Sequence, residues 1–279
     1  MDFDADGKKD VLSGSYPGEL YLFKGQGGGA FAPADTIKHA DGKPVKVGMA
    51  AAPYAHDWDG DGDLDLLVGD IEGQIHLVPN EGSRSAPKFG TASPLKAGGN
   101  VIKVAHGDAG PTVADWDGDG KFDLISGAGA GGAVWFRNTG SNERPQLAAS
   151  QTLVSPKDQG GPPVGMRTKV HATDWNGDGK LDLLVGDFAM DEAKPVEQTE
   201  EQKAARKAKA DAWLAEYKKV KDAPDDESTE HRKARMAKIA SLIAEFRKIN
   251  EADGAQPAQA GYHGYVWLFL RQEGVAAAR

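Results

Sequence analysis

Asp57-Trp58-Asp59-Gly60-Asp61-Gly62-Asp63-Leu64-Asp65-Leu66-Leu67-Val68-Gly69 joins a nine-residue acidic loop to a short apolar run closed by glycine. The same nine-residue pattern recurs from Asp2 to Asp10, from Asp115 to Asp123 and from Asp174 to Asp182, so that successive starts lie 55, 58 and 59 residues apart. Oxygen-bearing side chains at positions 1, 3, 5 and 9, with a glycine at 6, form the donor set of a hard cation such as calcium, which takes six to eight oxygens. Gly7, Gly62, Gly120 and Gly179 allow the positive φ that so short a turn requires. One acidic turn of this kind is a common surface feature; four in phase are a repeat.

The candidate metal ligands are Asp2, Asp4, Asp6 and Asp10 in loop 1, and Asp57, Asp59, Asp61 and Asp65 in loop 2. Loop 3 offers Asp115, Asp117, Asp119 and Asp123, and loop 4 offers Asp174, Asn176, Asp178 and Asp182. Up to four Ca2+ ions are expected. Asn176 supplies an oxygen without charge, which makes loop 4 the weaker site. An EF-hand is excluded because its loop ends in a bidentate glutamate at position 12, where this chain has Ser13, Val68, Ser126 and Val185.

The residues after each loop read as strand. Short apolar runs such as Asp123-Leu124-Ile125-Ser126-Gly127 end in glycine, and a second run begins soon after, as in Ala133-Val134-Trp135-Phe136. Turn signals at Asn80-Glu81-Gly82 and Asn138-Thr139-Gly140 lead to weaker outer strands near 31–37, 89–95 and 147–153. Each repeat predicts a four-stranded meander with the acidic loop between its first and second strands. The fold class is therefore all-β, a β-propeller of four-stranded antiparallel blades. Four repeats are visible, near 1–40, 45–98, 101–155, and 164–190 with 261–272. They make either a four-bladed body or part of a larger ring.

These loops and their Leu-Leu-Val-Gly tails resemble the FG-GAP/VCBS repeats of integrin-α-like propellers, over about three quarters of the chain. The resemblance implies calcium held by side chains at positions 1, 3, 5 and 9 and by the carbonyls of Lys8, Asp63, Lys121 and Lys180 at position 7. It also implies an extracellular, cell-surface or periplasmic binding and adhesion module without catalysis. Its protein or glycan ligand would sit on the face opposite the calcium loops. The alternative is the propeller of a carbohydrate-active protein, a polysaccharide lyase or a glycan-binding domain.

Charge follows from the loops. Fifteen ligand aspartates account for more than the formal net charge of −9. Clustered carboxylates repel one another, so a cation is expected to order them. The acidic balance opposes nucleic-acid binding, which needs basic patches. No cysteine is present to indicate a redox compartment. No stretch reads as a membrane-inserting helix or a signal peptide. The chain opens at loop position 1, so the strand before Asp2 and any export signal are expected upstream.

From 191 to 260 the pattern breaks. Alanine, lysine and glutamate replace glycine, and Met236, Ile239, Ile243 and Phe246 recur at helical spacing with Leu242 and Ile249 beside them. Ala205, Ala208, Ala212 and Ala215 form a thin stripe flanked by Trp213, Tyr217 and Val220, and Thr199 with Gln202 suits a capping box. Asp222-Ala223-Pro224-Asp225-Asp226 separates the arms. The segment predicts a helical hairpin inserted between the second and third strands of the last blade, either a solvated insertion or a partner-docking arm. The propeller then comprises 1–190 and 261–279.

No catalytic set emerges. His106, Asp108 and His171 border the channel expected at the propeller axis, and His56 precedes loop 2, but no nucleophile or carboxylate pair stands at matching spacing. Trp58, Trp116 and Trp175, all at loop position 2, are expected to be core residues bracing their loops.

Overall fold

The computed structural model describes residues 1–190, 199–221, 234–235, 237–244 and 261–271. Four antiparallel sheets follow one another as the blades of a β-propeller. Blade 2 pairs Ala52–His56, Asp65–Gly69, Ile75–Val78 and Ser93–Pro94 in chain order. Blade 3 does the same with Gly110–Ala114, Asp123–Gly127, Ala133–Phe136 and Gln151–Val154. Blade 1 consists of Val11–Gly14, Leu20–Phe23 and Asp35–Thr36. Blade 4 is built on Met166–Thr173, Asp182–Met190 and Val266–Phe269. In blades 2, 3 and 4 the acidic loop joins the first strand to the second, as the meander reading expects.

The second strand of each inner blade is buried throughout because both of its faces are covered. All five residues of Asp65–Gly69 and of Asp123–Gly127 are buried. Side chains alternate along a strand, so positions 10 and 12 face the preceding blade and position 11 the following one. One core joins Leu12, Leu20 and Leu22 of blade 1 to Leu66, Val68 and Val78 of blade 2. A second joins Leu67 and Ile75 to Val113, Leu124 and Phe136. A third joins Ile125, Ala133 and Trp135 to Leu183, Val185 and Val170. Among the described residues, four blades thus share three cores.

The glycine closing each second strand, at position 13, sets the distance between blades. A Cβ on Gly14, Gly69 or Gly127 would strike the carbonyl oxygen of Ala51, Ala109 or Thr168, at or just before the next blade's first strand. Only glycine lets the backbones approach so closely. At Gly186 the nearest such atom is Lys169 O of the same blade, 3.8 Å away.

The position-2 aromatics follow the same geometry, and here one expectation fails. Phe3 and Trp58 are buried and Trp116 is half-buried, each packed into the core shared with the next blade. Trp175 is 61% exposed, because among the described residues no further blade covers that face of blade 4. It is not a core residue.

Residues Met190–His263 form a separate compact unit. Its first helix, Glu200–Lys221, starts directly after Thr199 and runs 22 residues, about 33 Å. Residues 234–235 and 237–244 are also helical. The indole of Trp213 donates to the carbonyl oxygen of Leu242 at 2.7 Å and stacks on Tyr217, so the two arms touch. The burial differs from the expected stripes. Ala205, Ala208, Ala212 and Ala215 are exposed, whereas Ala210, Trp213, Tyr217 and Val220 are half-buried. Leu242 is buried while Ile243 is exposed. Aromatic area outweighs four methyl groups in choosing the covered face. Met236, Phe246, Ile249 and the turn at 222–226 lie outside the described residues.

Candidate metal sites

The acidic loops are shaped by their own carboxylates. At position 1, Asp57 accepts from the backbone N–H groups of Gly60 and Gly62 at 2.9 and 3.1 Å. Asp115 accepts from Gly118 and Gly120, and Asp174 from Gly177 and Gly179, in the same way. Asp2 accepts from Gly7 at 3.1 Å. At position 5, Asp6, Asp61, Asp119 and Asp178 each accept from the N–H of position 7. These bonds curl each loop inward.

Position 9 has a second role that the sequence did not disclose. Asp10, Asp65, Asp123 and Asp182 are nearly or fully buried. One carboxylate oxygen of each accepts from the N–H of position 2, in Phe3, Trp58, Trp116 and Trp175. The other accepts from the residue two places after the third-strand core, Gly25, Asn80, Asn138 or Arg271. A carboxylate has about four lone-pair sites, so this clamp leaves room for a metal bond as well.

The structure brings Asp2, Asp4 and Asp10 together in loop 1, Asp57, Asp59 and Asp61 in loop 2, and Asp115, Asp117 and Asp119 in loop 3, with one ligand oxygen from each within 4.8 Å of the others. In loop 4, Asp178 accepts from the side-chain amide of Asn176 at 3.1 Å, so that amide offers a donor to its neighbour. The donor chemistry fits a hard cation. Asp2 Oδ1, Asp4 Oδ1, Asp63 Oδ1 and Asp117 Oδ1 are buried with no hydrogen-bond partner. Buried carboxylate oxygens normally find one.

Two basic residues missed in the sequence meet these carboxylates. Lys24 Nζ lies 2.7 Å from Asp4, and Arg137 lies 2.6 Å from Asp117 and 3.0 Å from Asp119. Both follow the third strand of their blade, where blade 2 has Pro79 and blade 4 has Leu270. The hydrogen bond from Lys24 holds the Asp4 carboxyl below its ordinary range. Loop 2 has a proline at that place. There, desolvation first, aided by Asp59 and Asp63, pushes Asp65 up to about 6. Desolvation, then repulsion from Asp61, Asp59 and Asp57, also raises Asp63. Burial raises Asp123.

The candidate channel residues arrange differently from expectation. Asp108 is buried, but its carboxylate is paired with Arg167 at 2.6 Å, not with His106 or His171. Lys169 donates to the carbonyls of Asp108 and Ala109 at 2.9 and 3.2 Å, and desolvation lowers its pKa. His106, Asp108 and Arg167 all hold positive φ. This polar knot ties blade 3 to blade 4 at the ends of their first strands remote from the acidic loops. His56 is half-buried, edge-on to Phe122 of loop 3 at 4.6 Å, and its pKa is lowered by desolvation.

A family model described as an FG-GAP-like repeat matches residues 2–68, 57–126 and 115–185. Successive matches overlap across loops 2 and 3, so each spans two loops and the blade between them. No match was found among curated proteins. The three family matches together cover residues 2–185, and with four loops in phase and blades in common register the chain belongs to the FG-GAP-like repeat family.

Proposed function

We propose that this chain is a calcium-stabilised binding or adhesion module of the cell exterior, surface or periplasm, without catalysis, holding up to four Ca2+. The observation that carries this reading is the convergence of three carboxylates in each of loops 1, 2 and 3, together with partnerless buried oxygens in loops 1 and 3. Calcium would neutralise charge that the fold otherwise crowds together, and its flexible coordination suits these irregular donor sets better than magnesium's strict octahedron. The protein or glycan ligand binds the face opposite the loops. No helix among the described residues is long and apolar enough to cross a membrane. Calorimetric titration with calcium tests the reading: saturable binding that magnesium reproduces only weakly supports it, and absence of binding at millimolar calcium contradicts it.

A second reading, a carbohydrate-active propeller, has one observation in its favour. Asp108, Arg167 and Lys169 gather charge at the blade ends remote from the loops, where an anionic glycan would meet two cations. An activity and binding screen on acidic polysaccharides separates the readings. Turnover abolished by Lys169→Met, with calcium binding intact, would favour the enzyme.

A further inference from the structure

Loops 1, 2 and 3 share a backbone but not a charge balance. In loop 3, Arg137 sets its Nε 2.6 Å from Asp117 Oδ2 and donates from a terminal nitrogen to Asp119 Oδ2 at 3.0 Å. Lys121 Nζ lies 3.7 Å from the same Asp119 oxygen. In loop 1, Lys24 Nζ donates to Asp4 Oδ2 at 2.7 Å, and Lys8 Nζ lies 3.5 Å from Asp6. Loop 2 differs at both places. Its position 7 is Asp63 where loops 1 and 3 have Lys8 and Lys121, and Pro79 stands in the place of Lys24 and Arg137. Among the described residues, none of Asp57, Asp59, Asp61, Asp63 and Asp65 makes an ion pair. Asp63 is moreover buried, with Oδ1 lacking a hydrogen-bond partner.

The bases neutralise these carboxylates without using them up. Lys24 takes Asp4 Oδ2 and Arg137 faces Asp117 Oδ2, while Oδ1 of each carboxylate stays buried and without a hydrogen-bond partner. One oxygen is thus left for a metal, and a bound ion would sit beside the base. Affinity of an oxygen site for calcium follows its charge count and its rigidity. Rigidity differs little, because the backbone bonds at positions 1, 5 and 9 are made in loop 2 as in loop 3. Charge therefore decides. A unit positive charge a few ångströms from a divalent ion costs about tenfold in affinity even at the dielectric of water.

We propose that Lys24 and Arg137 are resident counter-cations that keep loops 1 and 3 formed without calcium and weaken calcium there, so that loop 2 is the tight, metal-dependent site of the three. The inference rests on the calcium reading above and adds a division of labour among the loops. Two blades carry their own positive charge, and the blade between them must take it from solution. Pro79 offers the place to reverse this. Its carbonyl accepts from Gly90 N–H as that of Arg137 accepts from Ala148 N–H, both at 2.8 Å, so an arginine at 79 would start from the same backbone position.

The test compares thermal melts in chelator and in millimolar calcium for the full chain and its single variants. Lys24→Gln and Arg137→Gln keep a hydrogen-bond donor and remove the charge. In chelator both should melt about 1–4 °C below the unmodified chain. In calcium the ion should make up the loss, so the calcium-induced rise grows. Arg137→Lys, which keeps the charge, should restore the unmodified rise. Pro79→Arg should shrink the rise and, in calorimetric titration, weaken the tightest calcium step about tenfold. Pro79→Gln, which loses the proline without adding charge, should do neither. Equal losses in chelator and in calcium for Arg137→Gln would mean a merely structural role and overturn the proposal, whether or not Pro79→Arg folds. An unchanged rise and tightest step in folded Pro79→Arg would overturn it too. An unmodified chain that shows no rise in calcium overturns the calcium reading itself, and the proposal with it.

Discussion

At the residue scale the aspartate at loop position 9 anchors the fold and, in the proposed calcium sites, would also be a ligand. Asp123 is fully buried and satisfies two backbone donors, Trp116 and Asn138. Leaving a buried donor unpaired costs about 1–3 kcal/mol, so Asp123→Ala should destabilise by roughly 2–5 kcal/mol even in chelator, besides removing one bound calcium. Asp59→Ala, on an exposed side chain with one local bond, should lose a calcium with little effect on the metal-free fold. Ser126→Ala at position 12 should leave calcium stoichiometry unchanged, since its hydroxyl serves only the strand backbone at Gly110 and Gly127. Denaturant titration for stability, and calorimetric titration for stoichiometry, check all three. Asp65 adds a pH signature. Its folded pKa of about 6 lies above the ordinary 3.8, so the native state keeps a proton the unfolded chain has released between these values. Stability from this group is present at low pH and is lost as pH rises through about 6. In chelator Asp65→Asn loses one of the two backbone N–H bonds at any pH but is spared the cost of ionising. It should therefore destabilise more at pH 5 than at pH 7.5, read by thermal melts. An equal effect at both would contradict the burial assigned to this carboxyl.

At the scale of elements, blade spacing and the insertion each make a prediction. Gly69→Ala drives a methyl into the carbonyl of Ala109 and should cost at least about 2–3 kcal/mol, in the range of overpacked cores, whereas Gly186→Ala meets nothing closer than 3.8 Å and should be near neutral. Chemical denaturation of the two variants compares them directly, and equal losses would contradict the packing order of the blades. The helical unit leaves and rejoins blade 4 at neighbouring residues. Asp187 N–H donates to Tyr265 O at 2.9 Å, and Gly186 pairs with Val266. Replacing residues 190–263 by a short Gly-Asn-Gly turn should therefore preserve the β-type circular dichroism and calcium binding while the helical signal disappears. Loss of the β signal would make the helices part of the propeller's core.

At the scale of the whole molecule, what was legible in the sequence was what repeats. Loops, second strands and third strands share a period, so the family, the all-β class and the meander could be read from one line of residues. The rest depends on neighbours that sequence position does not encode. Trp175 carries the same motif as Trp58, but a motif cannot report whether another blade lies over it. Lys24 and Arg137 occur in two blades of four and meet the loops only after the strands have paired, so no periodic signal marked them. Position 9 looked like a ligand alone because its buried amide partners sit about fifteen residues further along the chain in blades 1 to 3, as in Asp123 with Asn138. In the helical unit Leu242 and Ile243 are adjacent and both apolar, yet Leu242 is buried and Ile243 exposed, a difference that apolar spacing alone does not encode.

Across the four loops one expectation is shared: the blades need a cation to hold their carboxylates together. A ligand that binds only the native state adds RT ln(1 + [L]/Kd), about 2.7 kcal/mol at a hundredfold excess over Kd for a single site. Differential scanning calorimetry of the full chain in millimolar calcium, in magnesium and in chelator measures it directly. The account predicts a melting temperature clearly higher in calcium than in chelator, with magnesium giving only a small part of the rise. Coincident melts in calcium and in chelator would contradict it.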